Sequence, residues 1–305
     1  MTLQQIYYAL VISDTGSMNK AAEKLYISQP ALTITIRDLE TELGFQIFFR
    51  TNKGVMPTNE GRDFLMYARQ LYQQYEMILE RYEDKDKRKV KFGVSCQHYS
   101  FAVKAFCETV KKYGTADFEF NIRETKTKQV ISDVGTLKSE IGVIYLSDYN
   151  RKMLTKLMNE QNIEFHGLVK CEAFVYLCKK HPLADKKSLS FEELSEYPCL
   201  RFEQGENASA YYSEEILSEN FYKRIIKAQD RATMLNLMEE LNGYTLCSGL
   251  IFDSLNGSDY VRIPFRETSG NRNSVMEIGY LTKKRIILSE IGETYVEELK
   301  KAIKQ

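Results

Sequence analysis

The chain lacks most of what would make it a secreted module, a membrane protein or an enzyme. No apolar run approaches the roughly 18 residues of a membrane span, and the N-terminus has no basic-then-apolar leader, so a cytoplasmic location is expected. The six cysteines, Cys96, Cys107, Cys171, Cys178, Cys199 and Cys247, show no Cys-x-x-Cys spacing. They read as buried, reduced thiols, with a thiol redox sensor as the sharper alternative. The three histidines sit at no metal-ligand spacing from a cysteine or an acid, so no metal and no cofactor is expected. There is no nucleophile motif and no glycine-rich phosphate loop followed by lysine, and catalysis is not expected. Net charge is missing as well, since 42 basic residues balance 42 acidic ones.

What is present is concentrated at the start of the chain. Ser17 suits a helix N-cap, and Ala21, Ala22 and Leu25 give the helix after it a thin apolar side. Ser28 is a second cap, with Pro30 in the first turn where a missing N–H is tolerated. From Gln29 the wheel separates cleanly. Leu32, Ile36, Leu39 and Leu43 share one stripe and face a core. Ser28, Gln29, Pro30, Thr33, Ile34 and Arg37 lie at the opening turn or on the opposite arc, with hydroxyl, amide, methyl and guanidinium groups of the kind that read base edges. Gly44 suits a C-cap. Leu3, Ile6, Tyr7 and Leu10 form a preceding amphipathic helix, and Phe45 to Arg50 and Val55 to Thr58 read as two short strands. The tip between them carries Arg50 and Lys53 towards phosphates. Such a unit pushes its second helix into a DNA major groove.

Residues 1–58 carry five basic side chains (Lys20, Lys24, Arg37, Arg50, Lys53) and five acidic ones (Asp14, Glu23, Asp38, Glu40, Glu42). DNA affinity must therefore come from placement of charge. A single head binds weakly because it neutralises few phosphates, and linked heads compensate. Thr58 suits the cap of a long helix to about Tyr82, in which Phe64, Ala68, Leu71, Tyr75, Ile78 and Tyr82 recur at four-three spacing. That is a coiled-coil dimer seam, widened by Tyr67, Tyr72 and Leu79, the alternative being a helix packed on its own domain. A charged connector, Asp84 to Lys89, follows.

From Val90 strands alternate with helices. Val90–Val94 is a strand, Phe118, Phe120 and Ile122 alternate with polar neighbours, and Ile141–Leu146, Phe174–Cys178, Gly243–Cys247 and Ile278–Thr282 are continuous apolar runs of the kind found in buried parallel strands. Segments 100–112, 212–219, 233–241 and 289–304 suit the intervening helices. The fold class is α/β.

Residues 1–62 resemble the winged helix-turn-helix of LysR-type transcriptional regulators. The elements that carry the resemblance are Gly16-Ser17, Ala21 to Leu25, Ser28 to Thr33, Leu39-Glu40, Leu43-Gly44, Phe48 to Arg50 and Pro57 to Gly61. Ile34 and Thr35 depart from the basic residue and glutamine that the family often has there. The remainder resembles the family's effector domain, which is like a periplasmic binding protein, through His181 to Ala184, Tyr197-Pro198, Asn242 to Leu246 and Arg262 to Pro264. His181 reads as structural.

The resemblance implies a division into residues 1–58 (winged helix-turn-helix), 59–89 (linker helix and hinge) and 90–305 (two-lobed effector domain). Lobe I spans about 90–162 and 265–305 and lobe II about 163–264, with crossings near Ile163 and Pro264. It implies double-stranded DNA with an inverted repeat, a second copy of the chain in a dimer or tetramer, and RNA polymerase as partners. It also implies a small polar, carboxylate-bearing effector held between the lobes by Ser95, Gln97, His98, Thr125, Thr127, Gln204 and Ser248. Ser95 to Phe101, Ser139 to Val143 and Asp230 to Thr233 further resemble a Gram-positive subgroup associated with amino-acid uptake, notably methionine, and with surface traits.

Overall fold

The computed structural model describes residues 1–51, 54–83, 89–114, 117–206, 208–266 and 274–304. Lys53, the side chains of Arg50 and Tyr82, and the connector up to Arg88 lie outside the described residues. The chain forms two compact units, Met1–Arg88 and Lys89–Gln305.

In the first unit each helix begins at a residue chemically suited to stop the chain fraying. Thr2 opens α1 (Leu3–Thr15) with a reciprocal box: its hydroxyl accepts from the Gln5 N–H at 3.2 Å while the Gln5 carboxamide accepts from the Thr2 N–H at 2.8 Å. Ser17 caps α2 (Met18–Lys24) and Ser28 caps α3 (Gln29–Leu43), each accepting from the backbone N–H three residues on. The corner between α2 and α3 turns through Tyr26, which has a left-handed backbone (φ 55°) and is 96% exposed. Gly44 ends α3 at φ 78°, a conformation glycine adopts without steric cost. β1 (Phe48–Thr51) and β2 (Gly54–Pro57) pair antiparallel as a wing. Thr58 then caps α4 (Asn59–Glu83), accepting from Gly61 N–H at 2.8 Å and donating to the Gln46 carbonyl at 2.6 Å. A Cβ at Gly61 would collide with the Ile47 carbonyl, so glycine is what lets α4 start against the wing.

Ile6, Ala9, Leu10 and Ile12 of α1, Ala21 and Ala22 of α2, and Leu32, Ile36 and Leu39 of α3 form the core. Each buried leucine or isoleucine contributes about 1.5–3 kcal/mol. Two of the expected seam residues belong to this core instead of to a partner: Ala68 is buried and Phe64 packs edge-on against Phe45. Tyr72 likewise stacks on Tyr7 at 4.9 Å. The first turns of α4 pass over α1, and that contact claims whatever faces it. Beyond them Leu71 and Ile78 are exposed, with Tyr67, Met77 and Leu79, and Tyr75 is half-buried.

The second unit holds two five-stranded sheets. The first lobe has the order β4 (Phe118–Glu124), β3 (Val90–Cys96), β5 (Ile141–Leu146), β12 (Val275–Lys283), β6 (Ile163–Glu172). The second has β11 (Tyr260–Pro264), β7 (Phe174–Cys178), β10 (Tyr244–Cys247), β8 (Cys199–Phe202), β9 (Ile225–Ala228). The helices are α5 (Ser100–Tyr113), α6 (Thr127–Gly135), α7 (Arg151–Glu160), α8 (Phe191–Leu194), α9 (Arg231–Glu240), α10 (Asp253–Asn256) and α11 (Glu290–Ala302).

Three expectations need correction. The chain first crosses between sheets at Ala173, not near Ile163: all of β6 pairs with β12 inside the first lobe. β7 and β12 are antiparallel to their neighbours, and β10 is antiparallel to β7. Coverage on both faces makes a strand continuously apolar whatever its direction. Residues 212–219 form no α-helix. A 3₁₀ turn at Ala210–Tyr212 leads into irregular chain, with Leu217 at φ 60° and Ile216 and Leu217 buried. His181 is structural, as read: its Nδ1 accepts from the Leu183 N–H at 3.0 Å and its Nε2 donates to the Asn242 carbonyl at 3.0 Å. Burial lowers its pKa, and the ring stays neutral.

Candidate functional site

Two surfaces carry chemistry. On α3, Leu32, Ile36 and Leu39 point into the core while Pro30, Ile34 and Arg37 are exposed and Gln29 and Thr33 are half-buried. The Gln29 amide donates to the Thr33 hydroxyl at 2.8 Å, which holds two polar groups of the arc together. Ile34 is 51% exposed, an apolar contact surface in the middle of a polar arc. Arg37 makes no ion pair among the described residues. Thr35 turns its hydroxyl back onto the Ala31 carbonyl at 3.0 Å, so it presents no free donor. Ser28 is occupied as a cap.

Three of the head's five acids are engaged away from this arc. Asp14 pairs with Arg69 of α4 at 2.7 Å, Glu42 pairs with the N-terminal ammonium, and Glu40 accepts from the Ile47 and Phe48 N–H groups at 2.7 and 3.1 Å. Arg37 supplies the positive group of the recognition arc.

The second surface lies between the two lobes of the second unit, and the structure rearranges most of the residues expected to line it. Ser95 at the end of β3 is fully buried and bonds Asp133 at 2.7 Å and Ser139 at 2.8 Å, so it belongs to a structural network inside the first lobe. Gln97 is also fully buried. Its amide donates to Thr127 Oγ1 at 2.6 Å, and its carbonyl oxygen accepts from Tyr99 OH at 2.8 Å and Tyr145 N–H at 3.1 Å. Thr127 in turn donates to the Tyr212 carbonyl at 2.7 Å and its N–H donates to Gln204 Oε1 at 2.9 Å. Thr125 is half-buried, with its N–H on the Cys96 carbonyl. Gln97, Thr127 and Gln204 are thus satisfied by the protein itself and bind one lobe to the other.

The group that completes this closure is the irregular chain at residues 213–215. Glu214 accepts from the His98 N–H at 2.8 Å, from His98 Nδ1 at 2.9 Å and from the Gln204 amide at 2.8 Å. The carbonyls of Ser213 and Glu215 accept from Tyr145 OH, each at 3.1 Å. A second ion pair crosses between lobes from Arg231 at the start of α9 to Glu124 at the end of β4, and Arg231 Nη1 also donates to Asn256 at 3.2 Å.

Beside these bridges is a cavity of about 80 Å³, room for roughly five to eight water-sized groups. Of the expected residues, His98 and Ser248 line it. Its other walls are Phe202, which stacks on the His98 ring at 3.8 Å, Tyr176, Glu214, Glu215, Arg231, and an apolar side made by Met234, Leu235, Met238, Leu246, Leu250 and Met276. Glu214, Glu215 and the α9 methionines were not foreseen. They lie on irregular chain read as a helix, or on a helix face with no polar signature. The one available hint was Asp230 to Thr233.

Burial and the Glu214 carboxylate together set the electrostatics of this site. Desolvation opposes a charged His98 ring, but the hydrogen bond and charge of Glu214, with Glu124 behind it, outweigh it and raise the pKa above 6.5. Glu215 is fully buried; desolvation first and the neighbouring Glu214 charge second push its carboxyl up to about 7. Its Oε1 accepts from the Phe202 N–H at 2.7 Å, and its Oε2 has no partner among the described residues. No His, Cys, Asp and Glu cluster among the described residues is suited to a metal ion, and no described helix is long and apolar enough to cross a membrane.

Residues 3–62 match the family described as bacterial regulatory helix-turn-helix protein, lysR family. The uncharacterized HTH-type transcriptional regulator YbhD of Escherichia coli (strain K12) is 27% identical over 292 residues, 94% of this chain and 87% of that protein. The nitrogen assimilation regulatory protein nac of Klebsiella aerogenes is 41% identical over 76 residues, 25% of each chain. A solved mutant of Corynebacterium glutamicum OxyR shares the fold over 99% of this chain and 93% of its own, with a TM-score of 0.55 at 19% identity. Residues 3–62 thus belong to the lysR family of bacterial regulatory helix-turn-helix proteins, a transcriptional regulator is similar to the chain over nearly its whole length, and the α/β remainder has the architecture of the solved OxyR.

Proposed function

We propose that this regulator reads an inverted-repeat operator through α3, works as a dimer or tetramer in the cytoplasm, and responds to a small molecule bound between the two lobes of its second unit. The observation that carries the reading is the exposed arc of α3, where Gln29, Pro30, Thr33, Ile34 and Arg37 face away from a fully apolar core stripe. An arginine with no ion-pair partner among the described residues, beside an amide, a hydroxyl and a methyl-bearing side chain, has the donor, acceptor and apolar groups that distinguish base pairs in the major groove. Leu71 and Ile78, exposed on α4, supply the seam that pairs two heads. Linked heads add up where one nearly neutral head would not. RNA polymerase is a further partner of such a regulator. An effector acts by favouring one arrangement of the oligomer over another.

The test is retention of specific and scrambled duplexes by the full chain. Arg37→Ala is expected to weaken specific binding by roughly 1–3 kcal/mol and leave scrambled binding nearly unchanged. Equal affinity of variant and parent for the specific duplex would remove Arg37 from the readout.

We place the regulated genes in amino-acid uptake or metabolism, with methionine or cysteine as the nearest candidates. The support is that the segments carrying the narrower resemblance are contiguous in space. Ser95 bonds Ser139, and His98 and Arg231 both border the cavity. The thiol-redox alternative finds less support in the cysteines. Burial pushes Cys199 up to about 11 and Cys247 up to about 12 and raises Cys96 and Cys171, which keeps these thiols protonated and poorly reactive.

A further inference from the structure

The outer face of α3 is less polar than a surface meeting only phosphates or water needs to be. Ile34 stands half a turn from the core stripe of Leu32, Ile36 and Leu39, so it forms the crest of that face. It is 51% exposed. Pro30 and Ala31, one turn before it, share the crest and are exposed as well. The charged side chains Arg37 and Asp38 follow one turn later. The crest is thus apolar in its N-terminal half and charged beyond, with the Gln29 amide tied to Thr33 at 2.8 Å along one flank. In a helix-turn-helix it is the N-terminal half of the second helix that meets base edges.

The base edges in the major groove are patterns of hydrogen-bond donors and acceptors, and thymine alone adds an apolar group, its C5-methyl. An isoleucine pressed against a guanine edge strips water from polar atoms and returns no hydrogen bond. Against the methyl it buries apolar surface on both partners. One side chain therefore favours a single base and penalises its competitors.

We infer that Ile34 is a specificity-determining residue that selects a thymine in each operator half-site through its C5-methyl. This rests on α3 being the helix that enters the groove, and goes beyond it by assigning one base to one side chain. Pro30 and Ala31 border the contact.

The experiment uses the full chain to select a specific duplex from a randomised pool and then replaces its thymines by deoxyuridine one at a time. Uracil pairs with adenine as thymine does and lacks only the methyl, so phosphate contacts and base pairing are kept. At the worth of one buried carbon, replacing the thymine under Ile34 is expected to weaken binding by the parent about fourfold in one half-site and roughly fifteenfold in both. Ile34→Gln, whose tip is a carboxamide, is expected to bind the thymine and uracil duplexes equally. Ile34→Val keeps a branched apolar tip and is expected to retain the penalty. A parent indifferent to uracil at every position overturns the proposal, while its preference for the selected duplex over a scrambled one leaves the regulator reading intact. A penalty undiminished in Ile34→Gln also overturns it, because another side chain then reads the methyl. A parent with no preference for any duplex overturns the α3 readout itself, and the proposal with it. The parent's thymine-to-uracil comparison can refute the assignment whether or not a variant folds.

Discussion

Glu215 sits in an environment far from water. Its carboxyl is fully buried and pushed up to about 7, against a usual 4.5. Below about pH 4.5 the acid is protonated folded and unfolded alike, and its titration contributes nothing. Between 4.5 and 7 the unfolded chain releases the proton and the folded chain keeps it, so stability falls with rising pH and then levels off. The difference amounts to about 3 kcal/mol, a large share of the 5–15 kcal/mol typical of a folded protein. Glu215→Gln is expected to be about as stable as the parent at pH 4.5 and more stable by about 1–3 kcal/mol at pH 8, measured by denaturant unfolding of the full chain. His98 adds to the same slope. Its pKa is raised, so the stabilisation it gains from Glu214 is complete below about 6.5 and disappears as pH climbs through the higher folded value. His98→Asn is expected to flatten the stability profile between pH 6 and 8. An unchanged slope in both variants would remove these two groups as its origin.

At the level of elements, the head was readable because each of its features is local. Ser17, Ser28, Thr58 and Gly44 all cap where their chemistry suggests, and the 3.6-residue period of Leu32, Ile36 and Leu39 separates core from arc without tertiary information. The same period could not tell which apolar face of α4 meets its own head and which is left exposed. Phe64 and Ala68 continue the stripe of Leu71 and Ile78, yet the head's own core covers the first pair and leaves the second bare. The division is measurable. Leu71→Glu and Ile78→Glu are each expected to shift the chain towards monomer in sedimentation equilibrium, with thermal stability of the head little changed. Ala68→Glu places a charge in the core and is expected to lower head stability by several kcal/mol. Leu32→Ala is expected to cost 2–5 kcal/mol, whereas Ile34→Ala, on the exposed arc of the same helix, should stay within about 0.5 kcal/mol. Thermal melts distinguish the two.

Over the whole molecule the two units differ in how much their sequences disclose. The α/β alternation was visible from Val90 onward, and most strands fall on the apolar runs. Strand direction did not follow, because β7 and β12 are enclosed on both faces and enclosure erases the alternation that would mark them. The interlobe site was only partly legible for a related reason. His98 and Ser248 follow strands, where such sites begin, but Glu214 and Glu215 come from chain with no regular period, and their role depends on which residues of the other lobe they meet. The nearly neutral head also makes a molecular-scale prediction. A monomerised variant should show a shallower dependence of DNA affinity on salt than the parent, since the slope counts phosphates neutralised. Identical slopes would mean that one head makes all the contacts.

The way the chain at 213–215 holds Tyr145 and His98 has a consequence for timing. To part, the lobes must release Tyr145 from the Ser213 and Glu215 carbonyls, Thr127 from Tyr212 and His98 from Glu214 together, since all four are anchored in the same few residues. Such a release is a barrier crossing and not a breathing motion. A signal that must part the lobes should therefore be answered in a single exponential phase whose rate is the rate of opening.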